Sequence, residues 1–435
     1  MFNFLFFVKN FYMENFNSKK VRKNNIFGNI FKTFVALVIL FCGGLVFSGC
    51  SRAVVGYHVK TLPNKVVYQI GEKVNFEGLK IESVNNDGTY SKFNLSKENI
   101  SEVDTSTFGV KKVVVQKENM SVSFDIYVAN VIVNDSDNIK EILQSTNDGD
   151  IVYLRAGNYM PINSQDLSYK DIVINKSLII VGDGMDKTKF GGNFIVGANY
   201  DGSVFTKIDG FKDVIFNGIG FELDYEVKNN FINYSGPYDN TDTNGAIRCF
   251  DTQNLQITNC SFDGYAYGVL ADTMIGASIT KCRFRHIQLT AIKTTTETQN
   301  STIFKNIFMD IATNVVAFDG NNPIITGAIS LSFATEGQKG VLVCKNIFTR
   351  IALHDGEVVY YNNQSKETAT TTDTNIFKMS YMKNSAVISM LSSTTDDLRA
   401  TGIILSANNY GQSLQTIYLG ANGKTVSQNG VISVD

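Results

Sequence analysis

The feature that most constrains this chain is a short motif that recurs four times in its second half. Each copy has apolar residues, a turn rich in Asn, Lys or Cys, and then a Phe, and the copies lie at residues 257–262, 279–284, 304–308 and 344–348. Their last residues, Phe262, Phe284, Phe308 and Phe348, are 22, 24 and 40 positions apart. A period in the low twenties favours the coils of a parallel β-helix, in which each repeat packs on its neighbours. The interval of 40 is either one coil with an inserted loop or two coils of which one lacks the motif.

Side-chain alternation along the repeated strands predicts which residues enter the core. We expect Cys260 and Phe262 to point into the coil and Asp263 to point outward, because neighbouring side chains of a strand lie on opposite faces. One coil later Phe284 would point inward, and the outward positions are basic: Lys281, Arg283 and Arg285. Since stacked strands lie ~4.8 Å apart, Phe262, Phe284 and Phe308 would form an internal ladder.

Short strands with turns between them are predicted from residue 54 to residue 128, at the spacing expected of a β-sandwich. The most specific patterns here are Tyr68-x-x-Gly71-Glu72, Phe76-x-Gly78-Leu79-x-Ile81, the Asn86-Asp87-Gly88 turn and Gly109-x-x-x-Val113-x-Val115. With these patterns the segment resembles the bacterial Ig-like domain of group 3. The resemblance implies a spacer or a cell-surface adhesion module without catalysis.

The residues before the repeats predict a short helix and the first strands of a coil. Ser136 or Asp137 is expected to cap a helix whose apolar face contains Ile139, Ile142 and Leu143. The patterns that follow are Gly149-Asp150-Ile151-Val152-Tyr153-Leu154, Lys176-Ser177-Leu178 and Gly182-x-Gly184. Together with the repeats, they resemble the right-handed parallel β-helix proteins of the pectin-lyase-like superfamily, over residues 134 to at least 376.

The predicted fold class is therefore all-β, an N-terminal Ig-like β-sandwich followed by a right-handed parallel β-helix. We assign residues 54–130 to the sandwich and residues 134–392 to the β-helix with its capping helix. Residues 393–435 are either two last strands or a cap. The cysteines of these domains are too few and too scattered for a disulfide framework or a zinc site, and we expect buried thiols.

The first 49 residues have the composition of an export signal. They carry six Lys or Arg against one acidic residue, and an uncharged run leads into Phe47-Ser48-Gly49-Cys50. This tetrapeptide resembles the bacterial lipobox, which implies a lipid on Cys50, a tether at residues 50–53 and a place on the outer face of the bacterial cell membrane. The alternative is an uncleaved membrane helix, and Met13 is a second candidate start. The remaining 33 basic and 40 acidic residues give a net charge of −7, which argues against a nucleic-acid partner.

The first candidate site is an outward, mostly basic group of side chains with His286 beside it: Lys281, Arg283, Arg285, Asp263 and Lys293. Uronic-acid polymers are anionic, and a polysaccharide lyase needs a cation for the sugar carboxylate and a base for the neighbouring proton. The alternative is structural, with Asp263 paired to Arg285 and Ser261 paired to Arg283 across neighbouring coils.

The second candidate site is the insertion between Glu222 and Ala246. Its ligand-binding candidates are Tyr225, Tyr234 and Tyr238, which lie among carboxylates, a combination that suits sugar rings. Asn240, Asp242, Asn244 and Asp251 keep the oxygen-ligand spacing of a calcium loop, so calcium is the one cofactor that the sequence suggests. A polar turn is the alternative.

These observations favour a lipid-anchored surface protein whose β-helix binds an extracellular polysaccharide without catalysis. The scaffold of the superfamily is present, but Thr258-Asn259 stands where its pectate lyases would carry an Asp-His pair, and only Ala291-Ile292-Lys293 echoes the Arg-Ile-Lys of its polygalacturonases. The alternative is a polysaccharide lyase or glycoside hydrolase that acts on an acidic polymer through Lys281, Arg283, Arg285 and Asp263.

Overall fold

The computed structural model describes residues 52–159, 171–223, 245–287, 289–311, 327–333 and 341–351, together with the backbone of further strands between and after these ranges. The regular structure of these residues is mainly β-strand, with one α-helix, Ile139–Ser145, and one 3-10 helix, Lys97–Asn99. The chain divides into two compact units, Met1–His58 with Glu82–Phe93, and Val59–Ile81 with Asn94–Asp435. The all-β prediction is confirmed.

The strands of the Ig-like segment form two three-stranded sheets. One sheet contains Val54–Thr61, Lys80–Asn85 and Tyr90–Lys92, and the other contains Val67–Gln69, Gly109–Lys117 and Met120–Ala129. The Asn-Asp-Gly turn recognised in the sequence joins the last two strands of the first sheet. Its Asp87 carboxylate accepts the amide N–H of Thr89 at 2.9 Å and the hydroxyl of Thr89 at 2.6 Å, which closes the turn.

The residues after 130 wind through three largely parallel sheets, which we call sheets 1, 2 and 3 in the order in which each coil visits them. Sheet 1 contains Val131–Val133, Ile151–Leu154, Ile179–Gly182, Ile215–Asn217, Gln256–Thr258, Ser278–Thr280, Thr302–Phe304, Leu342–Cys344, Ile403–Ser406 and Gly430–Ile432. Sheet 2 contains Gly157–Tyr159, Thr188–Phe190, Gly220–Glu222, Ser261–Asp263, Arg283–Ile287, Ile307–Ile311 and Ile347–Ile351. Sheet 3 contains Asp171–Ile174, Asn193–Val196, Phe211–Lys212, Gly245–Gln253, Tyr267–Ile275, Thr290–Gln299, Gly327–Phe333, Ala386–Ser392, Ile417–Leu419 and Lys424–Val426. Three antiparallel hairpins lie outside these sheets: Ala198–Tyr200 with Phe205–Lys207, Phe318–Asp319 with Asn322–Pro323, and Glu357–Tyr361 with Thr374–Lys378.

The predicted Phe ladder is confirmed. Phe262 lies opposite Phe284 in register, Phe284 opposite Phe308 and Phe308 opposite Phe348, and all four rings are completely buried. Successive ring centroids are 4.7, 5.0 and 4.9 Å apart, and the rings are nearly parallel. Because Phe308 pairs directly with Phe348, the interval of 40 residues is one coil with an insertion.

A second buried column lies at the corner between sheets 1 and 2. Asn306 Oδ1 accepts the amide N–H of Cys282 at 2.9 Å, and Asn346 Oδ1 accepts the amide N–H of Asn306 at 2.9 Å. Cys260 and Cys282 take the same place in the two preceding coils as buried thiols. The predicted inward orientation of Cys260 is confirmed, and Cys282 is buried in the same way. In the next two coils the side-chain amides of Asn306 and Asn346 form the hydrogen bonds at this corner.

The helix Ile139–Ser145 packs its apolar face into the β-helix core, as predicted. Its N-cap is Asn138, whose side chain accepts the amide N–H of Glu141 at 3.4 Å. The expectation that Ser136 or Asp137 caps the helix is therefore wrong. Asp137 instead accepts the amide N–H three residues earlier, at 2.7 Å, and closes the turn before the helix.

Strands continue into residues 393–435. The first two of these strands extend sheets 1 and 3 in parallel, and the last two pair antiparallel with the ends of the same sheets. The segment therefore continues the β-helix and ends it with antiparallel strands.

Candidate functional site

The outer face of sheet 2 carries most of the charged residues of the first candidate site. Two outward rows run along the β-helix, one with Lys189, Gly220, Ser261, Arg283 and Ile307, and the other with Glu222, Asp263, Arg285 and Met309. Residues of both rows line a depression of about 200 Å³. Ile307 and Met309 are 37% and 39% exposed, so one end of the depression is apolar and the other end is charged.

Asp263 is the central acid of this depression and is only 6% exposed. Its Oδ2 accepts a hydrogen bond from Arg285 Nε at 2.9 Å, and its Oδ1 lies 2.9 Å from His286 Nδ1. Both side chains reach one carboxylate because His286 has a φ of +51° and leaves the regular alternation of its strand. An imidazole held through Nδ1 presents Nε2 for proton transfer, so Asp263 and His286 have the arrangement of an oriented general base.

Arg283 turns toward a distant part of the chain. Its guanidinium pairs with Asp186, and its Nε lies 3.0 Å from the sulfur of Met185. Ser261 lies opposite Arg283 in register but donates its hydroxyl to the Met185 carbonyl at 3.5 Å. The expected Ser261–Arg283 pair does not form, because both side chains contact Met185 instead. The turn with Met185 lies directly on Gly220, where a Cβ would be 2.2 Å from the Met185 carbonyl.

Lys281 and Lys293 lie apart from this depression. Lys281 is the turn residue between sheets 1 and 2, with a φ of +55°, and it lines a different depression. Partial burial and the charge of Lys305 lower the pKa of Lys281. Lys293 lies on sheet 3, with its Nζ 5.2 Å from the centre of the Tyr267 ring. Three of the five residues of the first candidate site therefore line one depression.

Most of the second candidate site falls outside the described residues. Residues 224–244 lie outside them, with Tyr225, Tyr234, Tyr238, Asn240, Asp242 and Asn244, and so does Cys50. Asp251 is described and lies on sheet 3, where its carboxylate accepts the amide N–H of Gly210 at 3.4 Å. Across the described part of the chain, no group of three or more His, Cys, Asp or Glu residues could hold a metal ion. No helix within the described ranges combines the length and apolar character needed to cross a membrane.

An exposed aromatic surface that the sequence did not reveal lies beside sheet 3. The hairpin with Tyr200 and Phe205 follows a strand of this sheet, and the two rings stack with centroids 4.7 Å apart. Phe205 in turn lies 6.4 Å from Phe250 of the next coil. Tyr200 is 48% exposed, and the other two rings are partly exposed. We call Tyr200, Phe205 and Phe250 the aromatic platform.

Charged side chains border the aromatic platform. The Arg248 guanidinium lies over the Phe250 ring at 4.6 Å and donates a hydrogen bond to Asp272 at 2.7 Å. Lys207, at the end of the hairpin, pairs with Asp209 at 3.0 Å. Aromatic faces beside fixed donors and acceptors can stack on a sugar ring and bind its hydroxyl groups. No sequence pattern indicated this surface, because its rings belong to a hairpin and to a strand in another coil.

The four cysteines of the β-helix are buried thiols, which confirms the sequence prediction. Burial raises the pKa of Cys249 and of Cys260 to about 12, and it also raises the pKa of Cys282 well above its usual range. Cys249, Cys260 and Cys282 therefore pack as small apolar side chains and are not activated nucleophiles.

The fold and its surfaces define the class of protein, an Ig-like module followed by a parallel β-helix. Residues 61–128 match the family model of the bacterial Ig-like domain (group 3). Among solved structures, the chain is similar to a variant of a PL6 family alginate lyase, at 12% identity and a TM-score of 0.32, over 65% of this chain and 37% of that chain. It is also similar to ORF18 of Geobacillus virus E2, at 13% identity and a TM-score of 0.29, over 71% of this chain and 67% of that chain. No curated protein sequence matches the chain.

Proposed function

We propose that this protein is exported, is anchored to the bacterial cell surface through a lipid on Cys50, and binds an extracellular glycan on its β-helix without catalysis. In this proposal the Ig-like module acts as a spacer. The observation that supports glycan binding is the aromatic platform with its charged border. Two stacked rings and a third ring near them are exposed or partly exposed, and Arg248 and Asp272 are fixed beside them.

The chemistry of a pyranose matches this surface. Its C–H groups form an apolar face that can lie on an aromatic ring, while its hydroxyl groups point outward and need polar partners. The Asp272 carboxylate, oriented by Arg248 and by the hydroxyl of Thr295 at 2.9 Å, can accept hydrogen bonds from those hydroxyls. Because these groups are already held in place, binding would order few side chains.

The test is a binding screen of the intact protein against neutral and acidic polysaccharides, followed by variants of the aromatic platform. Tyr200→Ala and Phe250→Ala should each weaken binding by about tenfold, since each removes a stacking surface worth ~1–2 kcal/mol. Phe108→Ala, which removes a 48% exposed Phe of the Ig-like module, is the matched control and should bind as the native protein does. Unchanged affinity in both platform variants, or no binding to any polysaccharide, would contradict the proposal.

A second candidate function, a polysaccharide lyase, is favoured by one specific observation, the contact between Asp263 and His286. In a lyase reaction, His286 Nε2 would accept the proton beside the uronic carboxylate. The electrons of that C–H bond would form a C=C bond, and the glycosidic C–O bond would break, with solvent protonating the released oxygen. Arg285 Nη2 lies 2.6 Å from Asp263, and the Arg285 side chain is about half exposed. In this reaction its guanidinium would offset the negative charge of the uronic carboxylate.

The two functions are separated by following unsaturated products and new reducing ends on a panel of uronic-acid polymers. The non-catalytic proposal expects neither product from a protein that binds one of the polymers. If an unsaturated product forms and His286→Ala abolishes it while Phe108→Ala does not, the lyase is the correct function. New reducing ends without the unsaturated product would instead indicate a hydrolase.

A further inference from the structure

Three lysines occupy the same corner in three successive coils. Lys281, Lys305 and Lys345 each follow the last residue of a sheet 1 strand, and those last residues are paired in parallel register. The main chain links the three coils there, because the Lys281 amide N–H donates to the Phe304 carbonyl at 3.1 Å and the Lys305 amide N–H donates to the Cys344 carbonyl at 3.2 Å. We call Lys281, Lys305 and Lys345 the lysine column. Its members are separated by the ~4.8 Å spacing of stacked strands.

The backbone at this corner does not favour lysine. The three lysines have φ values of +55°, +56° and +55°, in the left-handed region where Gly and Asn are the preferred residues. The preceding coils follow that preference, with Gly218 at +70° and Asn259 at +50° in the corresponding turns. The turn alone therefore does not explain lysine, and its repetition in three coils points to a use for the side chain.

Electrostatics also works against this arrangement in the absence of a ligand. None of the three lysines forms a salt bridge with a described residue. The ammonium groups of Lys305 and Lys345 approach the same ring, at 5.1 and 5.8 Å from the centre of Phe304. Partial burial and the charge of Lys305 lower the pKa of Lys281. An anion placed along the lysine column would relieve this mutual repulsion.

The spacing of the lysine column indicates the shape of that anion. A chain that runs parallel to the β-helix axis and carries one negative charge per coil would meet one ammonium at each step. A uronic-acid polymer has one carboxylate on every sugar, and a pyranose is about as long as the ~4.8 Å separation of stacked strands. At the Lys281 end lies a depression of about 320 Å³, which is lined by Lys281, Asn259, Gly218 and Gly184 together with residues 60–67.

We infer that the lysine column binds a linear acidic glycan parallel to the β-helix axis, with one carboxylate for each lysine. This inference rests on the proposed glycan-binding function and adds a binding surface separate from the aromatic platform and from the depression around Asp263. The lysine column binds the carboxylates of the polymer, and the aromatic platform binds the faces of its sugar rings.

The test measures binding of polygalacturonate, and of its methyl-esterified uncharged form, to the intact protein at several salt concentrations. In the first variant all three lysines are changed to Asn, the residue that the chain itself uses at position 259. This variant should bind polygalacturonate at least a hundredfold more weakly, and its binding should lose most of its salt dependence. The reason is that removing each charge-assisted hydrogen bond is expected to change affinity by about tenfold. The same three positions changed to Arg should retain binding. A triple Lys→Asn variant at Lys97, Lys111 and Lys112 of the Ig-like segment is the control for net charge and should bind as the native protein does.

Stability gives an independent readout. Because Asn suits the left-handed turn and removes the repulsion, the triple Asn variant of the lysine column should melt at the same or a higher temperature than the native protein, whereas lysines with a purely structural role would give a lower one. Unchanged affinity and salt dependence in this variant would overturn the inference, and so would binding of inorganic polyphosphate in preference to polygalacturonate. If the inference fails but the glycan-binding proposal is correct, the native protein still binds the methyl-esterified polymer and loses that binding in Phe250→Ala. If it binds no polysaccharide, both proposals fall.

Discussion

Phe284→Ala is expected to destabilise the β-helix by about 3–5 kcal/mol. The Phe284 ring is completely buried and stacks on Phe262 at 4.7 Å and on Phe308 at 5.0 Å. Parallel pairing fixes the strands on both sides, so the neighbouring coils have little freedom to collapse into the space. The substitution also removes two stacked ring pairs, each worth about 0.5–1.5 kcal/mol beyond the buried area, which places the expected destabilisation toward the upper end of the range.

The neighbouring backbone offers no compensation for this cavity. A Cβ at Gly268 would lie 2.7 Å from Phe284 Cδ1, so the ring is already in contact with the sheet 3 strand of the preceding coil, Tyr267–Ile275. The Phe284→Ala substitution therefore leaves backbone facing the cavity on one side, and the ring faces of Phe262 and Phe308 facing it from above and below. A cavity term of this kind, added to the transfer free energy of the removed atoms, distinguishes a Phe inside the ladder from a Phe at the surface.

Urea unfolding followed by circular dichroism measures this effect. With a denaturant slope of about 3 kcal/mol/M, the β-helix transition of Phe284→Ala should move down by about 1 M or more. Phe108→Ala is the control, because Phe108 is 48% exposed, and its effect should stay within about 0.5 kcal/mol. A destabilisation below about 1 kcal/mol for Phe284→Ala would refute the assignment of inward and outward positions, and with it the outward orientation of Arg285.

Three further predictions concern the anchor, the charged depression and the Ig-like turn. Cys50→Ser should move the protein out of the membrane fraction, because the proposed anchor requires the lipid on this sulfur, and unchanged partition with an unprocessed N-terminus would indicate a membrane helix instead. A double-mutant cycle of Arg285→Gln with Asp263→Asn should give a coupling of about 1 kcal/mol in thermal or urea unfolding, and a coupling near zero would show that the observed pair contributes nothing to stability. Hydrogen bonds from Thr89, followed by the Arg52 contact, lower the pKa of Asp87 from 3.8 to about 2, so its contribution to stability is present above pH 3.8 and is lost as the pH falls through 2. Melting temperatures measured across this interval should therefore fall more steeply for the native protein than for Asp87→Asn, and parallel curves would contradict the expectation.

Local patterns in the sequence were enough to predict the coils and their inner faces. Cys260, Phe262 and Phe284 are buried as expected, because alternation of side chains is a property of each strand and needs no knowledge of its neighbours. The interval between Phe308 and Phe348 shows the limit of this reasoning. A spacing of 40 fits one coil or two, and only the pairing of the strands decided that it is one.

Backbone conformation at the turns was beyond the sequence patterns. Ser136, Asp137 and Asn138 all have side chains that can cap a helix, and the residue chosen depends on where helical dihedral angles begin. Lys281 and Arg283 are two residues apart and were assigned to one outward row. The left-handed conformation of Lys281 places it on the corner instead, in the lysine column, while Arg283 lies on sheet 2.

The partners of the outward side chains were decided by the tertiary structure alone. Arg283 pairs with Asp186, which lies 97 residues earlier, and the ring of Phe250 meets Phe205 from a hairpin of the preceding coil. Alternation tells whether a side chain faces the core or the solvent, but a contact at the surface depends on the register between coils and on the path of the turns that cross them. The sequence by itself therefore determined the scaffold and its core, and the folded chain determined which charged and aromatic groups share a surface.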